Sequence, residues 1–525
     1  MREIYVADCE TEPFLFGRIP HPFVWGLYRK DEFTIFWGKN STRDFINYVR
    51  NLDSIIYAHN GGKFDWHYVL PYVDDATKLL LIDGRIAAFK LGKAEFRDSY
   101  SILPIPLRAY KKDDVDYTLF EPKKRNKPVN KEKIKDYLRT DCIYLYELVT
   151  AFIKRFGCHQ TLAVAATACW RGICKQKSIH TTEQFYNVLQ PYYYGGRCEC
   201  FEVGIFNLNF IVLDINSAYS FAMLHNHPFG LSLDEHKGLL KNKSEIERSF
   251  IRIITTSTGL FPIRTKTGLE FPNDNKEREF FITGWEYLTA KKLNLLQKHK
   301  IETSLSVPAK PINFKNYVKY FFKEKERARK EKRQADYLFA KLMLNSLYGK
   351  FGANPSRYNE YIVTLQPEKF DTSWSPAGWF SDKTIMSREL PEYKQHFNCV
   401  ATAASITGFV RAMLMQALKT SERPLYCDTD SVAVVNHNLL IGNEIGQWKI
   451  EARCDYAAIA GKKLYAFHTD KGDYKTACKG VRLTPQQIIK IAKGETFRFS
   501  PDVPTYSVFN GISFTERTVK MTKKC

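Results

Sequence analysis

The sequence predicts a multidomain protein that mixes α/β and α+β units, and three observations carry that expectation. The chain has 525 residues, more than one hydrophobic core can serve. Apolar, strand-like runs ending in acids recur at 3–10, 209–214 and 425–430. Helix-periodic stretches at 131–156 and 337–352 lie between them. Hydrophobic content of 44% is that of a water-soluble globular protein. A surplus of 78 Lys and Arg over 57 Asp and Glu leaves +21, which suits a polyanionic partner such as nucleic acid. No apolar run approaches the roughly 18 residues of a membrane helix, and the N-terminus lacks a signal-peptide core. The 12 cysteines contain no CxxC pair, which argues against a zinc ribbon and a secreted disulfide scaffold and predicts reduced, mostly packed thiols.

The first element is the strand in "EIYVADCETEPF". Asp8 and Glu10 stand two apart, so their side chains share one face. "DSIIYAHNGGKFDWHYVL" reads as a strand, a Gly-containing turn and an apolar segment starting at Phe64-Asp65. In the helical stretch 131–156, Tyr137 and Asp141 are four apart and share a face. Taken singly, each acid reads as an ordinary surface or cap residue. As an ordered set on strand ends and helix faces, Asp8, Glu10, Asp65 and Asp141 match what two metal ions about 4 Å apart require of a nuclease.

The later elements follow the same logic. "PYYYGGRCECF" (191–201) is interdomain turn chemistry, with Gly195 and Gly196 able to adopt backbone angles other residues avoid and Arg197 a phosphate-binding candidate. "NFIVLDINSAYSFAML" (209–224) is a strand ending at Asp214, a polar break, then a helix entered through Ser217 and Tyr219. In "YLFAKLMLNSLYGKFG" (337–352), Lys341, Asn345 and Tyr348 form one helical stripe. In "LYCDTDSVAVV" (425–435), Asp428 and Asp430 are two apart. They are either same-face carboxylates that need a cation or solvated acids in a turn between two strands.

Asp8-x-Glu10, Asn60…Phe64-Asp65 and Tyr137-x-x-x-Asp141 resemble the three exonuclease motifs of the 3′–5′ proofreading domain of family B DNA polymerases. The resemblance implies metal binding by Asp8, Glu10, Asp65 and Asp141, water orientation by Tyr137, and single-strand contacts from Thr11, Asn60 and Phe64. Ser99 and Tyr100 in "DSYSILPIPL" and Lys112 in "KDDVDY" resemble further single-strand and lysine motifs of the protein-primed subgroup. Tyr193-x-Gly195-Gly196 resembles the template-contacting linker, with Arg197 beside it.

The motifs that follow resemble the polymerase half of the family. Asp214, assisted by the Ile215 carbonyl, and Asp430 would hold metal, and Asp428 would support them. Tyr219 would exclude a 2′-OH, although Ser220 stands where the family has proline. Arg329 and Lys341 would bind the triphosphate, Asn345 would complete the nucleotide site, and Tyr348 would pack on the nascent base pair. Lys463-x-Tyr465 resembles the motif gripping the primer terminus.

Asp214 to Lys341 spans 127 positions and Asn345 to Asp428 spans 83, which leaves room for two insertions. These are the hallmark of protein-primed polymerases, and the chain looks most like those of tectiviruses. The implied fold is an RNase H-like exonuclease domain (1–185), linker and first palm segment (186–228), an insertion for docking a terminal protein (229–312), and fingers (313–352). A second insertion for processivity and strand displacement (353–397), the second palm segment (398–470) and a thumb (471–525) complete it. The implied cofactors are two Mg²⁺ or Mn²⁺ ions at each active site. The implied partners are primer-template DNA, dNTPs, a terminal protein and a single-stranded-DNA-binding protein. The protein is expected to be a monomer, without a membrane, in the cytoplasm of an infected or plasmid-bearing bacterium. A nuclease-dominant repair enzyme and a non-enzymatic DNA-binding protein are the alternatives. The first would have lost polymerase residues that are present, and the second leaves seven acids in motif context without a purpose.

Overall fold

The structure is a computed structural model that describes residues 2–522. Its first unit is built on a ten-stranded mixed sheet. The strand Glu3–Thr11 is central, parallel to Ser54–Ala58 and antiparallel to Pro22–Arg29. Alternation along Glu3–Thr11 sends Ala7 and Cys9 into one core and Val6 into the other. The long helix Pro128–Phe156 lies across this strand and its antiparallel neighbour.

The sheet does not stop where the first domain was expected to. Asn359–Thr364, from the second insertion, pairs antiparallel with Thr77–Ile82, and two further strands of that insertion extend the edge. Lys383 fixes the join by donating from Nζ to the carbonyls of Pro71 and Val73 at 2.9 and 2.5 Å. Asp75 accepts from Thr364 Oγ1 and Leu365 N at 2.9 and 2.8 Å. Residues 353–397 are therefore a continuation of the N-terminal sheet, so the two segments expected as separate units share backbone pairing.

The second unit is a seven-stranded antiparallel sheet in which Gly204–Ile215 is flanked by Trp448–Gly461 and Ser431–Asn436. The helix Val400–Thr420 packs behind it. This helix is long and apolar enough to cross a membrane, contrary to the sequence reading, yet 83% of its apolar window is buried within the protein. Residues 234–306 form a separate four-stranded sheet with the helix Gly284–Lys292. The helices Lys315–Lys330 and Gln334–Phe351 make an antiparallel hairpin over the open side of the palm-like sheet.

The C-terminal hairpin Thr505–Ser507 with Gly511–Ser513 returns to the first unit. Tyr506 and Tyr68 share a hydroxyl–hydroxyl hydrogen bond of 2.8 Å, and Phe509 meets Tyr361 with ring centroids 5.6 Å apart. Cys9, Cys142, Cys399, Cys427 and Cys454 are buried free thiols, as expected for reduced cysteines.

Candidate active sites

One cleft of about 1010 Å³ collects most of the residues from the second half of the chain. Asp214 ends a central strand, and its register partner across the sheet is Ser431. The Ile215 N–H donates to the Asp430 carbonyl at 2.8 Å, which locks the two acidic segments side by side. Asp214, Ile215 and Asp430 form one wall with Tyr219. The helical hairpin supplies the opposite wall with Lys325, Arg329, Lys341, Asn345 and Tyr348. Burial and the neighbouring Asp214 push Asp430 up to about 6. Burial also raises Asp214, against the opposing pull of Lys449, whose Nζ lies 3.1 Å from Asp214 Oδ1. Two converging carboxylates that repel each other and draw in a lysine ammonium are a fitting donor set for a divalent cation.

The rings of Tyr219 and Tyr348 stack at 4.2 Å with planes 7° apart. Ser220 is fully buried, and its hydroxyl lies 3.5 Å from the Leu344 carbonyl on the helical hairpin. Ser220, expected as a departure from a family proline, thus sits against the helical hairpin.

The Asp428–Asp430 couplet differs from the strand expectation. Asp428 ends one strand, Thr429 adopts φ of 60°, and Ser431 starts the next. The turn rotates the two carboxylates apart. Asp430 enters the cleft, whereas Asp428 is held by Lys463 Nζ at 2.5 Å and by Thr429 Oγ1 at 3.1 Å. The stretch is therefore a turn between two strands whose carboxylates do not share a strand face, and Asp430 alone of the couplet lines the cleft with Asp214. Tyr465 stacks on Phe467 at 4.1 Å and approaches Tyr426, the residue whose hydroxyl accepts from the Lys463 N–H.

The linker residues surround this turn. Tyr193 is partly buried against the core, and Gly195 is exposed. Gly196 is required by close approach, because an added Cβ would lie 2.7 Å from the Thr429 side chain. Arg197 corrects an expectation. It is 4% exposed, donates to the Gly259 carbonyl at 2.9 Å and pairs with Glu199, so its guanidinium is spent inside the protein and not on phosphate.

The acids of the first unit also converge. Asp8 and Glu10 face the helix that carries Tyr137 and Asp141, and Asp65 starts a short helix beside them, accepting from the Cys9 N–H at 3.1 Å. Burial, then Asp141, pushes Glu10 up to about 8, and burial pushes Asp65 up to about 7. Asp8 is raised by burial and by all three other acids. Asp141 Oδ1 is buried without a hydrogen-bond partner. Four mutually repelling carboxylates with an orphaned buried oxygen fit hard cations. Among the described residues, no three Asp, Glu, His or Cys lie close enough together to hold an ion as they stand.

Lys112, expected as the lysine of a DNA-binding motif, lies within this cluster. Its Nζ lies 3.0 Å from Asp141 Oδ2 and 5.5 Å from the Tyr137 ring centre. Burial works against its charge, and Asp141 and Asp8 more than offset that. The Tyr137 hydroxyl is within 3.3 Å of Tyr117 OH.

The expected single-strand residues divide. Phe64 joins an aromatic group with Phe14 and Tyr506 at 5.9 and 5.3 Å. Tyr100 lies under the Arg85 guanidinium at 4.4 Å. Asn60 takes a left-handed φ of 63° and accepts from Arg85 at 2.6 Å. Ser99 and Thr11, at 0% and 5% exposure, are too enclosed to meet a strand directly. Ser99 instead bonds His59 Nδ1 at 3.0 Å. Sequence reasoning missed Arg85, Lys325 and Lys449. Only Lys325 had a local signal, four residues before Arg329 on one helix.

A model of the family "DNA polymerase type B, organellar and viral" matches residues 104–431, and the chain belongs to that family. It is a DNA-directed DNA polymerase in class. It is 34% identical to the DNA-directed DNA polymerase of Enterobacteria phage PRD1, over 99% of this chain and 98% of that one. It is 27% identical to the DNA polymerase of Streptococcus phage Cp-1 over 52% of this chain and 49% of that one. Among solved structures, Phi29 DNA polymerase matches with a TM-score of 0.75 at 17% identity, covering 99% of this chain and 100% of that one. The expected membership in family B on the tectivirus side is borne out, and so is the fold class of exonuclease domain followed by palm, fingers and thumb.

Proposed function

We propose that this polymerase copies DNA from dNTPs in the Asp214–Asp430 cleft and edits the product in the Asp8–Asp141 cluster. The single observation supporting this most is the cleft itself, with acids on one wall and Arg329, Lys341 and Lys325 on the other. That is the charge arrangement in-line phosphoryl transfer needs. Asp214 and Asp430, with the Ile215 carbonyl, would hold Mg²⁺ or Mn²⁺. Such ions, when bound, would acidify the attacking 3′-hydroxyl and neutralise the leaving pyrophosphate. Lys341, Arg329 and Lys325 hold the triphosphate, and burial together with the like charges of Lys449, Arg329 and Lys341 depresses Lys325 until an anion arrives. Asn345 lines the same wall. Tyr219 and Tyr348 must part to admit a nucleotide, after which the Tyr219 ring blocks a 2′-OH and Tyr348 backs the base pair. Lys463 and Tyr465 hold the primer end beside Asp428.

In the editing site, Asp8, Glu10, Asp65 and Asp141 would hold two further ions, and Tyr137 orients water. Lys112 pairs with Asp141 and opposes the upward push on Glu10. Phe64, with Phe14 and Tyr506, offers aromatic faces to unpaired bases, and Asn60 and Tyr100 border them through Arg85. Thr11 and Ser99 support these residues from within.

Synthesis starts from a terminal protein docked on residues 229–312. The shared sheet of residues 353–397, together with the Tyr68–Tyr506 contact, supports a closed track for strand displacement. A purified protein supplied with a singly primed circular template, dNTPs and Mg²⁺ tests the reading. Long metal-dependent products support it, and template-independent or metal-independent labelling refutes it. Variants Asp214→Asn and Asp8→Ala separate the two activities.

A further inference from the structure

The Tyr193–Arg197 loop is held at both ends by the inserted subdomain, residues 229–312, and in the middle by an arginine that the subdomain orients. At one end, Arg264 donates to the Tyr193 carbonyl at 2.7 Å, and its guanidinium lies 5.4 Å from the Tyr194 ring centre. In the middle, Arg411 NH1 donates to the carbonyls of Tyr194 and Gly195 at 2.7 and 3.1 Å. Arg411 belongs to the helix Val400–Thr420, but Glu286 of the subdomain orients it through two hydrogen bonds of 2.8 and 3.0 Å. Both side chains of that pair are 1% exposed. The same Glu286 carboxylate accepts from Thr283 N and Oγ1 and so also fixes the start of its own helix. Gly408 lets the two helices touch, since a side chain there would collide with Thr283. At the far end, Arg197 reaches the Gly259 carbonyl of the subdomain and lies 4.1 Å from the Phe271 ring centre.

Beyond the loop, the Arg197 carbonyl accepts from the Thr429 N–H at 2.6 Å. Thr429 is the residue between Asp428 and Asp430. The linker backbone, exposed at Gly195, is thus held from one side by the subdomain and leans on the acidic turn on the other. An exposed glycine loop without such anchors would sample many conformations, and its face toward DNA would be ill-defined.

We infer that the inserted subdomain shapes the Tyr193–Arg197 loop, with Arg264 and Glu286 as positioning residues for primer-template binding during synthesis. This rests on the reading of the loop as a DNA-contacting surface. It gives the subdomain a part in ordinary elongation, separate from any primer protein it docks.

Glu286→Gln strands a buried cation and endangers folding, so the exposed Arg264 carries the test. Primer-template affinity is measured by fluorescence anisotropy across a salt series, beside single-turnover incorporation at saturating DNA and dNTP. Arg264→Ala is expected to weaken affinity by roughly the five-fold that one lost hydrogen bond is worth. The salt slope, the maximal incorporation rate and the thermal midpoint should hold, and Arg264→Lys should recover part of the affinity. A salt slope lower by about one unit would make Arg264 a direct phosphate contact and overturn the inference. Gly195→Asp is the control, because a carboxylate on the loop repels DNA only if the loop faces it. If Gly195→Asp weakens binding and Arg264→Ala does not, the clamp is wrong and the loop reading stands. If neither weakens binding, the loop reading fails and the inference with it.

Discussion

Glu10→Gln should stabilise the metal-free protein while destroying 3′ trimming. Glu10 stands among Asp8, Asp65 and Asp141, and burial followed by Asp141 lifts it from the ordinary 4.5 to about 8. The sign follows from linkage. A carboxyl whose folded pKa exceeds its unfolded value holds its proton more tightly when folded. The resulting stability is complete below about 4.5 and is lost as pH rises through about 8. The full shift corresponds to ~5 kcal/mol. Partial solvent access at Glu10 screens it, so ~2 kcal/mol is the expected effect. Glutamine has nearly the same shape and no charge, so the metal-free variant should gain ~2 kcal/mol over wild type at pH 9 and less than half of that at pH 5. Urea titration of chelator-treated protein reads this directly. Adding Mg²⁺ at pH 9 should shrink or reverse the difference, because the cation stabilises only the wild-type cluster. An equal gain at both pH values would point to packing or strand propensity, and no gain at pH 9 would show that the acids do not repel as placed.

The remaining predictions separate the two sites and their supports. Asp214→Asn or Asp430→Asn should cut nucleotide addition by on the order of 10³-fold or more and spare 3′ trimming, while Asp8→Ala with Asp65→Ala does the reverse. Gel-resolved extension and degradation of one labelled primer reads both activities, and joint loss in either variant contradicts the two-site account. Tyr219→Val should reduce discrimination against ribonucleotides by about 10- to 100-fold in competitive incorporation; an unchanged ratio removes the ring from that role. Lys112→Ala removes a cation that lowers Glu10, so the acid limb of the pH–rate profile for trimming single-stranded ends should move to higher pH. A profile that only scales down would assign Lys112 to strand binding.

The acids and the helical stripe were legible because their signal is local. Asp8 and Glu10 alternate correctly on one strand, and Lys341, Asn345 and Tyr348 repeat correctly on one helix, whatever the rest of the chain does. The Asp428–Asp430 couplet was legible as acidic and illegible as a turn, since Thr429 must take a left-handed angle that no residue type announces. Lys112 could not be placed from sequence, because its partner Asp141 is on a helix that must first cross the sheet. Burial decided against Arg197, which looked like a surface cation beside two glycines but is consumed by Glu199 and Gly259. The joining of Asn359–Thr364 to Thr77–Ile82 is a short pairing between distant segments, and neither strand's pattern specifies its partner.

The most direct test of the account is a structure of the protein with primer-template, a non-hydrolysable dNTP and Mn²⁺, using the metal's anomalous signal. Asp214 and Asp430 are expected to share manganese beneath a triphosphate gripped by Lys341 and Arg329, with the Tyr219–Tyr348 stack opened. A nucleotide bound elsewhere, or manganese that touches neither aspartate, contradicts it.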